Sequence, residues 1–102
     1  MFEIISKIFK GPKTDFKALA KKGAVIIDVR SNEEFKSGHI KGAINVPVEQ
    51  IKTRINDVKK MNKPVITCCR SGMRSGMAAS VLLSAGIEVY NGGAWNLLQK
   101  KI

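Results

Sequence analysis

The chain has 102 residues, of which 44% are hydrophobic and 25% are charged. This length suits one domain with its own core, and the composition is ordinary for a folded soluble protein rather than a disordered one. The formal net charge is +10, but the lysines are spread along amphipathic segments, so they indicate a solvated basic surface and no dedicated nucleic-acid binding. No apolar stretch approaches the roughly 20 residues of a membrane-spanning helix, so no membrane span is predicted.

The pair Gly11-Pro12 separates the first segment of the chain from the rest. We predict an amphipathic appendage over residues 1–12 and one domain over residues 13–102. The appendage could form a helix that docks on the protein's own core or lies on a membrane surface. Because charges interrupt it and no small-residue cleavage site follows, it does not resemble a signal peptide, and we expect a cytoplasmic protein.

Four apolar runs predict β-strands, over residues 24–29, 43–46, 65–69 and 87–90. The first and third runs are continuous and rich in β-branched residues, which is typical of strands that are buried on both faces of a parallel sheet. The fourth run ends at Asn91-Gly92-Gly93, a sequence that predicts a turn.

Helical patterns alternate with these strands, over residues 15–22, 32–37, 48–61 and 74–85. Ser31 is a candidate N-cap for the second helix, and Gly86 supplies the expected stop after the last one. The alternation predicts a single-domain α/β fold, in which ligands bind at the carboxyl ends of the strands. Cys69 lies at one such end.

The two cysteines, Cys68 and Cys69, are adjacent. Consecutive Cα atoms lie about 3.8 Å apart, below the usual disulfide range, so we expect free thiols, which suit a reducing compartment. With one histidine in the chain, too few ligands are present for a zinc site, and we predict no metal and no cofactor.

A short loop with two arginines and a glycine follows Cys69 and precedes the last predicted helix. Backbone N–H groups at a helix N-terminus and guanidinium charges favour the thiolate, which is the nucleophilic form of cysteine. The same N–H groups can form a nest that holds an anionic substrate. Cys69 is therefore the candidate nucleophile, and the candidate substrate-binding residues are Arg70, Ser71, Gly72, Met73 and Arg74.

Three segments together resemble the rhodanese-like domain family of sulfurtransferases. They are residues 28–47, which include the sequence GHIKGAINVP, residues 69–75 with the sequence CRSGMRS, and residues 92–95 with the sequence GGAW. The resemblance covers about residues 14–100. It implies a small parallel β-sheet flanked by helices on both faces, and we expect a monomer.

By this resemblance, Cys69 accepts a sulfane sulfur and becomes a persulfide. The implied donor is a small anion such as thiosulfate, or a polysulfide or persulfide, and the acceptor is a thiol, cyanide or a protein. Transfer requires a thiolate, a leaving group that is stabilised as an anion, and access from solvent. Arg70 and Arg74 would attract an oxyanion donor, although either guanidinium could instead bond inward and hold the loop.

Two other functions are open at this point. Counted from Cys68, the sequence matches a Cys-x5-Arg signature of phosphatases and arsenate reductases. Counted from Cys69, the loop is one residue shorter and suits a sulfur atom better than a phosphoryl group, and no aspartate stands out as the acid that a phosphatase needs. A persulfide carrier that passes sulfur to a partner without turnover would use the same loop as a sulfurtransferase.

Several neighbouring residues are interpreted as scaffold. Cys68 should point into packing on the other face of its strand, with a relay thiol as the alternative. Gly72 is expected to adopt a positive φ or to permit close approach of a ligand. Arg30 and Glu34 have the spacing of an ion pair at a helix start, and His39 is expected to hold its loop by hydrogen bonding rather than act as a general base.

Overall fold

Four parallel strands form the centre of the structure, a computed structural model that describes residues 14–102. In chain order the elements are α1 (Phe16–Lys21), β1 (Val25–Asp28), α2 (Asn32–Ser37), β2 (Ile44–Asn45), a 3-10 helix (Val48–Arg54), α3 (Ile55–Met61), β3 (Val65–Cys69), α4 (Met73–Ser84), β4 (Val89–Ala94), α5 (Trp95–Leu98) and a second 3-10 helix (Gln99–Lys101). The appendage predicted over residues 1–12 lies outside the described residues. Within the described range, no helix is long and apolar enough to cross a membrane.

The strand order β2-β1-β3-β4 places β1 and β3 in the middle of the sheet. Each neighbouring pair is parallel, so the carboxyl ends of all four strands meet at one edge. At this edge Asp28 pairs with both Asn45 and Cys68. The predicted α/β fold with a small parallel sheet is confirmed.

Each face of the sheet packs against its own apolar core. Helix α4 and residues 48–61 contribute to the first core, whose buried members include Ile27, Val29, Ile51, Val58, Val65, Cys69, Ala78, Ala79, Leu82 and Val89. The second core contains Phe16 of α1, together with Ile40, Ile66, Cys68 and Leu98. Because side chains alternate along β3, its last two residues enter different cores.

The predicted helix over residues 48–61 is divided in two. Residues Val48–Arg54 form a 3-10 helix, and the α conformation begins only at Ile55, because Arg54 has φ −108° and ψ 8°. Ile51 and Val58 nevertheless both reach the first core, with exposures of 1% and 2%. The apolar spacing therefore marks the buried face correctly even though the helix type changes.

The fourth strand is predicted over residues 87–90, but it spans Val89–Ala94. The expected turn is wrong because the glycine pair is part of the strand. A Cβ on Gly92 would lie 2.8 Å from Ile66 Cγ2, from Leu98 Cδ2 and from Thr67 O. Glycine at this position therefore permits close packing of β4 rather than a reversal of the chain.

Candidate active site

Cys69 is the last residue of β3, and residues 70–72 connect it to α4. Gly72 precedes the helix with φ 104° and ψ −12°, as the sequence predicts. Among residues 14–102, the one atom that a Cβ on Gly72 would meet within 4 Å is Gly93 Cα, at 3.5 Å. The backbone conformation, rather than a lack of space, therefore requires glycine here. This turn points N–H groups of the loop and of the first turn of α4 toward the end of β3.

The sulfur of Cys69 lies among hydrogen-bond donors. The backbone N–H groups of Gly72 and Ser75 donate to Sγ at 3.0 and 3.4 Å, and the thiol donates to Ser75 Oγ at 3.5 Å. Burial raises the pKa of the Cys69 thiol, but hydrogen bonds from Ser75 and from the loop backbone outweigh burial and hold this pKa below its ordinary value. The partial positive charge at the N-terminus of α4 also favours the thiolate.

The thiol is covered in this conformation. Cys69 has an exposure of 0%, whereas Arg70 and Ser71 are exposed and Gly72 is half-buried. The expected access from solvent is therefore not present in the described arrangement. Any reaction at Sγ requires a local movement that exposes the sulfur.

The two arginines of the loop differ in their partners. Arg74 binds Glu34 with both branches of its guanidinium, Nη1 to Oε1 at 2.8 Å and Nη2 to Oε2 at 3.0 Å. This ion pair ties the first turn of α4 to α2. Arg70 is exposed and has no hydrogen bond or ion pair with any residue in the range 14–102. Of the two roles left open by the sequence, inward bonding applies to Arg74, and Arg70 keeps an unpaired charge among these residues.

The ion pair that the spacing of Arg30 and Glu34 allows is not formed. Ser31 is the N-cap of α2 and has an extended ψ of 161°, so Arg30 lies outside the helix and the four-residue spacing does not place it beside Glu34. Arg30 instead binds the buried carboxylate of Asp28, with Nη2 2.7 Å from Oδ2. The hydrogen bond from Arg74, helped by the N–H of Ser31, lowers the pKa of Glu34 to about 2.

Cys68 has a different environment from its neighbour. It is also fully buried, at 0% exposure, but in the second core. Burial, followed by the nearby carboxylate of Asp28, raises the pKa of the Cys68 thiol to about 12. This setting favours the interpretation of Cys68 as a packing residue, and it places no thiolate where the Cys-x5-Arg count requires one.

The segment after α2 is held by aromatic contacts. His39 Nδ1 lies 2.7 Å from Phe35 O, and the two rings stack with centroids 3.7 Å apart. The guanidinium of Arg30 lies 4.7 Å from the centroid of the Trp95 ring and donates to Gly38 O at 2.6 Å. These contacts agree with a scaffold role for His39, as expected from the sequence.

Asn91 is a residue of the site that the sequence patterns do not reveal. Its Oδ1 accepts from Ser75 Oγ at 2.6 Å and from Gly93 N at 3.0 Å, and its Nδ2 donates to Gly72 O at 3.2 Å. The pairing of β3 with β4 shifts beside it, because Thr67 is opposite Asn91 whereas Cys69 is opposite Ala94. The available signal was a polar residue at the end of an apolar run, which also fits a turn.

The geometry can be compared with known proteins. The model of the rhodanese-like domain family matches residues 13–98. The chain belongs to the rhodanese-like domain family. Among solved structures of this family, one described as "rhodanese with anions from E. coli" is 36% identical to the chain with a TM-score of 0.66, over 72% of this chain and 89% of that one.

Two relatives of this rhodanese-like chain have differing descriptions. The uncharacterized protein YqhL of Bacillus subtilis (strain 168) is 46% identical over 69 residues, which are 67% of this chain and 54% of YqhL. The thiosulfate sulfurtransferase PspE of Escherichia coli (strain K12) is 39% identical over 69 residues, which are 66% of each protein. The chain therefore spans about half of YqhL and just under two thirds of PspE.

Proposed function

We propose that this rhodanese-like protein is a sulfurtransferase that carries a sulfane sulfur as a persulfide on Cys69. The observation that supports this most strongly is the pair of N–H donors at Sγ, from Gly72 at 3.0 Å and Ser75 at 3.4 Å, beside the N-terminus of a 12-residue helix. Such donors stabilise a thiolate inside the protein. The 39% identity with the thiosulfate sulfurtransferase PspE supports the same reaction class.

The reaction has two half-reactions. Cys69 Sγ is the attacking atom in the first and the leaving atom in the second. In the first, the Cys69 thiolate attacks the outer sulfur of thiosulfate; a new S–S bond forms, the S–S bond of thiosulfate breaks, and sulfite leaves with the electron pair. In the second, cyanide or an acceptor thiolate attacks the outer sulfur of the persulfide. The S–S bond to Cys69 breaks, the product is thiocyanate or a new persulfide, and Cys69 leaves as the thiolate. Donors at Sγ therefore assist both steps.

The remaining residues of the loop have separate roles in this proposal. Arg70 has no partner within residues 14–102, so its charge can attract an anionic donor. Arg74 is held by Glu34 and fixes the first turn of α4. Met73 is 77% exposed and forms an apolar rim for the incoming donor or acceptor. Because Cys69 is fully buried, a local movement must expose Sγ when the donor enters.

Phosphatase chemistry is disfavoured by the setting of Cys68. Its pKa is raised to about 12 by burial and by Asp28, so the thiol stays protonated in the pH range of such enzymes. The loop N–H groups described above donate to the other cysteine. A Cys-x5-Arg site counted from Cys68 would therefore lack both a thiolate and a cradle for the phosphoryl group.

A persulfide carrier with slow turnover is the second candidate. The observation in its favour is the complete burial of Cys69, at 0% exposure. A partner protein that displaces the loop would give such a carrier access to its sulfur, whereas free cyanide would react slowly. The carrier and the enzyme share the persulfide on Cys69 and differ in the rate of its release.

Mass spectrometry of the intact protein tests this assignment. After incubation with thiosulfate, the wild type should gain the mass of one sulfur; after cyanide, it should lose that sulfur and form thiocyanate. Cys69→Ser should do neither, and Cys68→Ala should do both. Retention of sulfur transfer by Cys69→Ser would overturn the assignment. Stoichiometric sulfur uptake with slow thiocyanate formation would favour the carrier, and hydrolysis of an aryl phosphate by the wild type would favour the phosphatase.

A further inference from the structure

Asn91 determines where the hydroxyl hydrogen of Ser75 points. The N–H of Gly93 can only donate and the carbonyl of Gly72 can only accept, so their contacts at 3.0 and 3.2 Å identify the oxygen and the nitrogen of the Asn91 amide. The oxygen, Oδ1, lies 2.6 Å from Ser75 Oγ. Because an amide oxygen carries no hydrogen, Ser75 is the donor in this contact.

A serine hydroxyl has one hydrogen, and three acceptors surround Ser75 Oγ: Asn91 Oδ1 at 2.6 Å, Gly72 O at 3.1 Å and Cys69 Sγ at 3.5 Å. Asn91 Oδ1 is the nearest of the three, so it holds the hydrogen. While this hydrogen points at Asn91, the 3.5 Å contact between Cys69 Sγ and Ser75 Oγ requires the hydrogen of the thiol. The arrangement is therefore a chain from thiol to hydroxyl to amide, which is the protonated state of Cys69. When the thiol ionises, that contact loses its hydrogen and two electron-rich atoms would face each other.

We propose that Asn91 is a positioning residue that holds the Ser75 hydroxyl hydrogen while Cys69 is a thiol and yields it to the sulfur when Cys69 becomes a thiolate. The thiol proton leaves to solvent, and the Ser75 hydroxyl turns about its C–O bond so that its hydrogen, still bound to oxygen, points at Sγ. Oδ1 of Asn91 keeps the N–H of Gly93, so it retains a partner. The hydroxyl thus serves both charge states of the sulfur.

The inference rests on the proposed function where it places this rotation in the sulfur-transfer cycle. The thiolate exists before attack on the donor and again after release of sulfur to the acceptor. In the persulfide between them, Sγ is bonded to a second sulfur and carries no charge, so the hydrogen of Ser75 returns to Asn91. The hydroxyl therefore turns once in each half-reaction.

Gly76 has no side chain and therefore leaves room for the Asn91 amide beside α4. Glycine inside a helix is disfavoured relative to alanine, yet Gly76 lies in the interior of Met73–Ser84. A Cβ at this position would lie 3.2 Å from Asn91 Nδ2, so the amide would have to give way by a few tenths of an ångström. The absence of a side chain at Gly76 leaves the amide free to keep Oδ1 2.6 Å from Ser75 Oγ.

A pH titration of the thiolate absorbance, with Cys69→Ser as the baseline, tests the proposal. Asn91→Ala removes the nearest acceptor that competes with the sulfur for the hydrogen and leaves Gly72 O, 3.1 Å from Ser75 Oγ, as a more distant competitor. The ratio of thiolate to thiol at a fixed pH should therefore rise, by at most about fivefold, the value of one ordinary hydrogen bond. In the Ser75→Ala background, the same substitution should change the ratio by less than about twofold, because no hydroxyl is left to compete for. Asn96→Ala, at an exposed asparagine of α5, is the matched control and should leave the ratio unchanged.

Asn91→Val, which suits a strand and also lacks an acceptor, replaces the alanine variant if the latter does not fold by circular dichroism. A ratio that falls or stays constant in the Asn91 variant overturns the proposal. A rise of equal size with and without the Ser75 hydroxyl also overturns it, because Asn91 would then act through Gly72. The titration needs no sulfur transfer, so loss of thiocyanate formation alone would reject the proposed function and leave this inference standing.

Discussion

Cys68 and Cys69 are neighbours on one strand, and both have an exposure of 0%, yet the pKa values of their thiols move in opposite directions. Burial raises the pKa of Cys68 to about 12. Cys69 experiences the same kind of penalty, but hydrogen bonds from Ser75 and from the loop backbone lower its pKa below the ordinary value. The difference shows that the donors around the sulfur, rather than its exposure, separate a candidate nucleophile from a packing residue.

The largest expected effect comes from removing the turn that supplies these donors. Gly72→Ala places a side chain at φ 104°, so the loop must either strain or rearrange, and the N–H that lies 3.0 Å from Sγ loses its alignment. We expect thiocyanate formation to fall by about 100-fold, the typical cost of one lost donor to a reacting anion. The stability should fall by about 1–2 kcal/mol, measured by urea unfolding.

Gly86→Ala provides the matched control for this variant. Gly86 follows α4 with φ 88°, and a Cβ there would meet no atom of the described residues within 4 Å, so the backbone strain is similar while the site is untouched. We expect a comparable loss of stability with sulfur transfer near the wild-type rate. Equal losses of activity in both variants would show that the donors at Cys69 do not distinguish it from Cys68.

Local sequence patterns predict the features around Cys69 that depend on neighbours in the chain. Strand Val65–Cys69 was predicted with the observed bounds and helix Met73–Ser84 to within one residue at each end, because hydrophobic periodicity and glycine signals are local. The left-handed turn at Gly72 follows from the same signals. The position of Cys69 at a helix N-terminus was therefore predictable.

The remaining features depend on contacts that the local pattern does not contain. Arg74 and Glu34 are 40 positions apart, so no local spacing shows that Glu34 binds Arg74 rather than Arg30. Asn91 reaches Ser75 through the pairing shift between β3 and β4. Its neighbourhood in the sequence fits a turn, so only the tertiary register reveals its role.

The two loop arginines are expected to have smaller and separable effects. Arg70→Gln removes an exposed charge without a partner among residues 14–102, so the KM for thiosulfate should rise by about two- to fivefold with little change in stability. This rise should shrink at high salt, because an exposed charge is screened.

Arg74→Gln breaks the ion pair with Glu34 and should lower stability by about 1 kcal/mol. Steady-state kinetics and urea unfolding measure both variants, and an interchange of the two outcomes would contradict the roles assigned above.

The smallest expected effect is the pH dependence of the stability that the Arg74–Glu34 ion pair between α4 and α2 contributes. The hydrogen bond from Arg74, with that from Ser31, lowers the pKa of Glu34 from 4.5 to about 2. A carboxyl group with a lowered pKa in the folded state adds stability that is complete above its unfolded pKa and is lost as the pH falls through its folded pKa. The difference in free energy of unfolding between the wild type and Glu34→Gln should therefore be largest at neutral pH and shrink from about pH 5 downward.

Urea unfolding at several pH values measures this difference, and Glu33→Gln is the matched control. Glu33 is exposed and lies in the same first turn of α2, but the bidentate contact of Arg74 is made by Glu34 alone of these two residues. We expect the control to lose less stability at neutral pH. A difference that is constant over the whole pH range would mean that the Glu34 carboxylate is not what Arg74 stabilises. Packing and the contacts of Ser75 would then hold the first turn of α4. The N–H donors at Cys69 would in that case be positioned by β3 and β4 and not by the ion pair with α2.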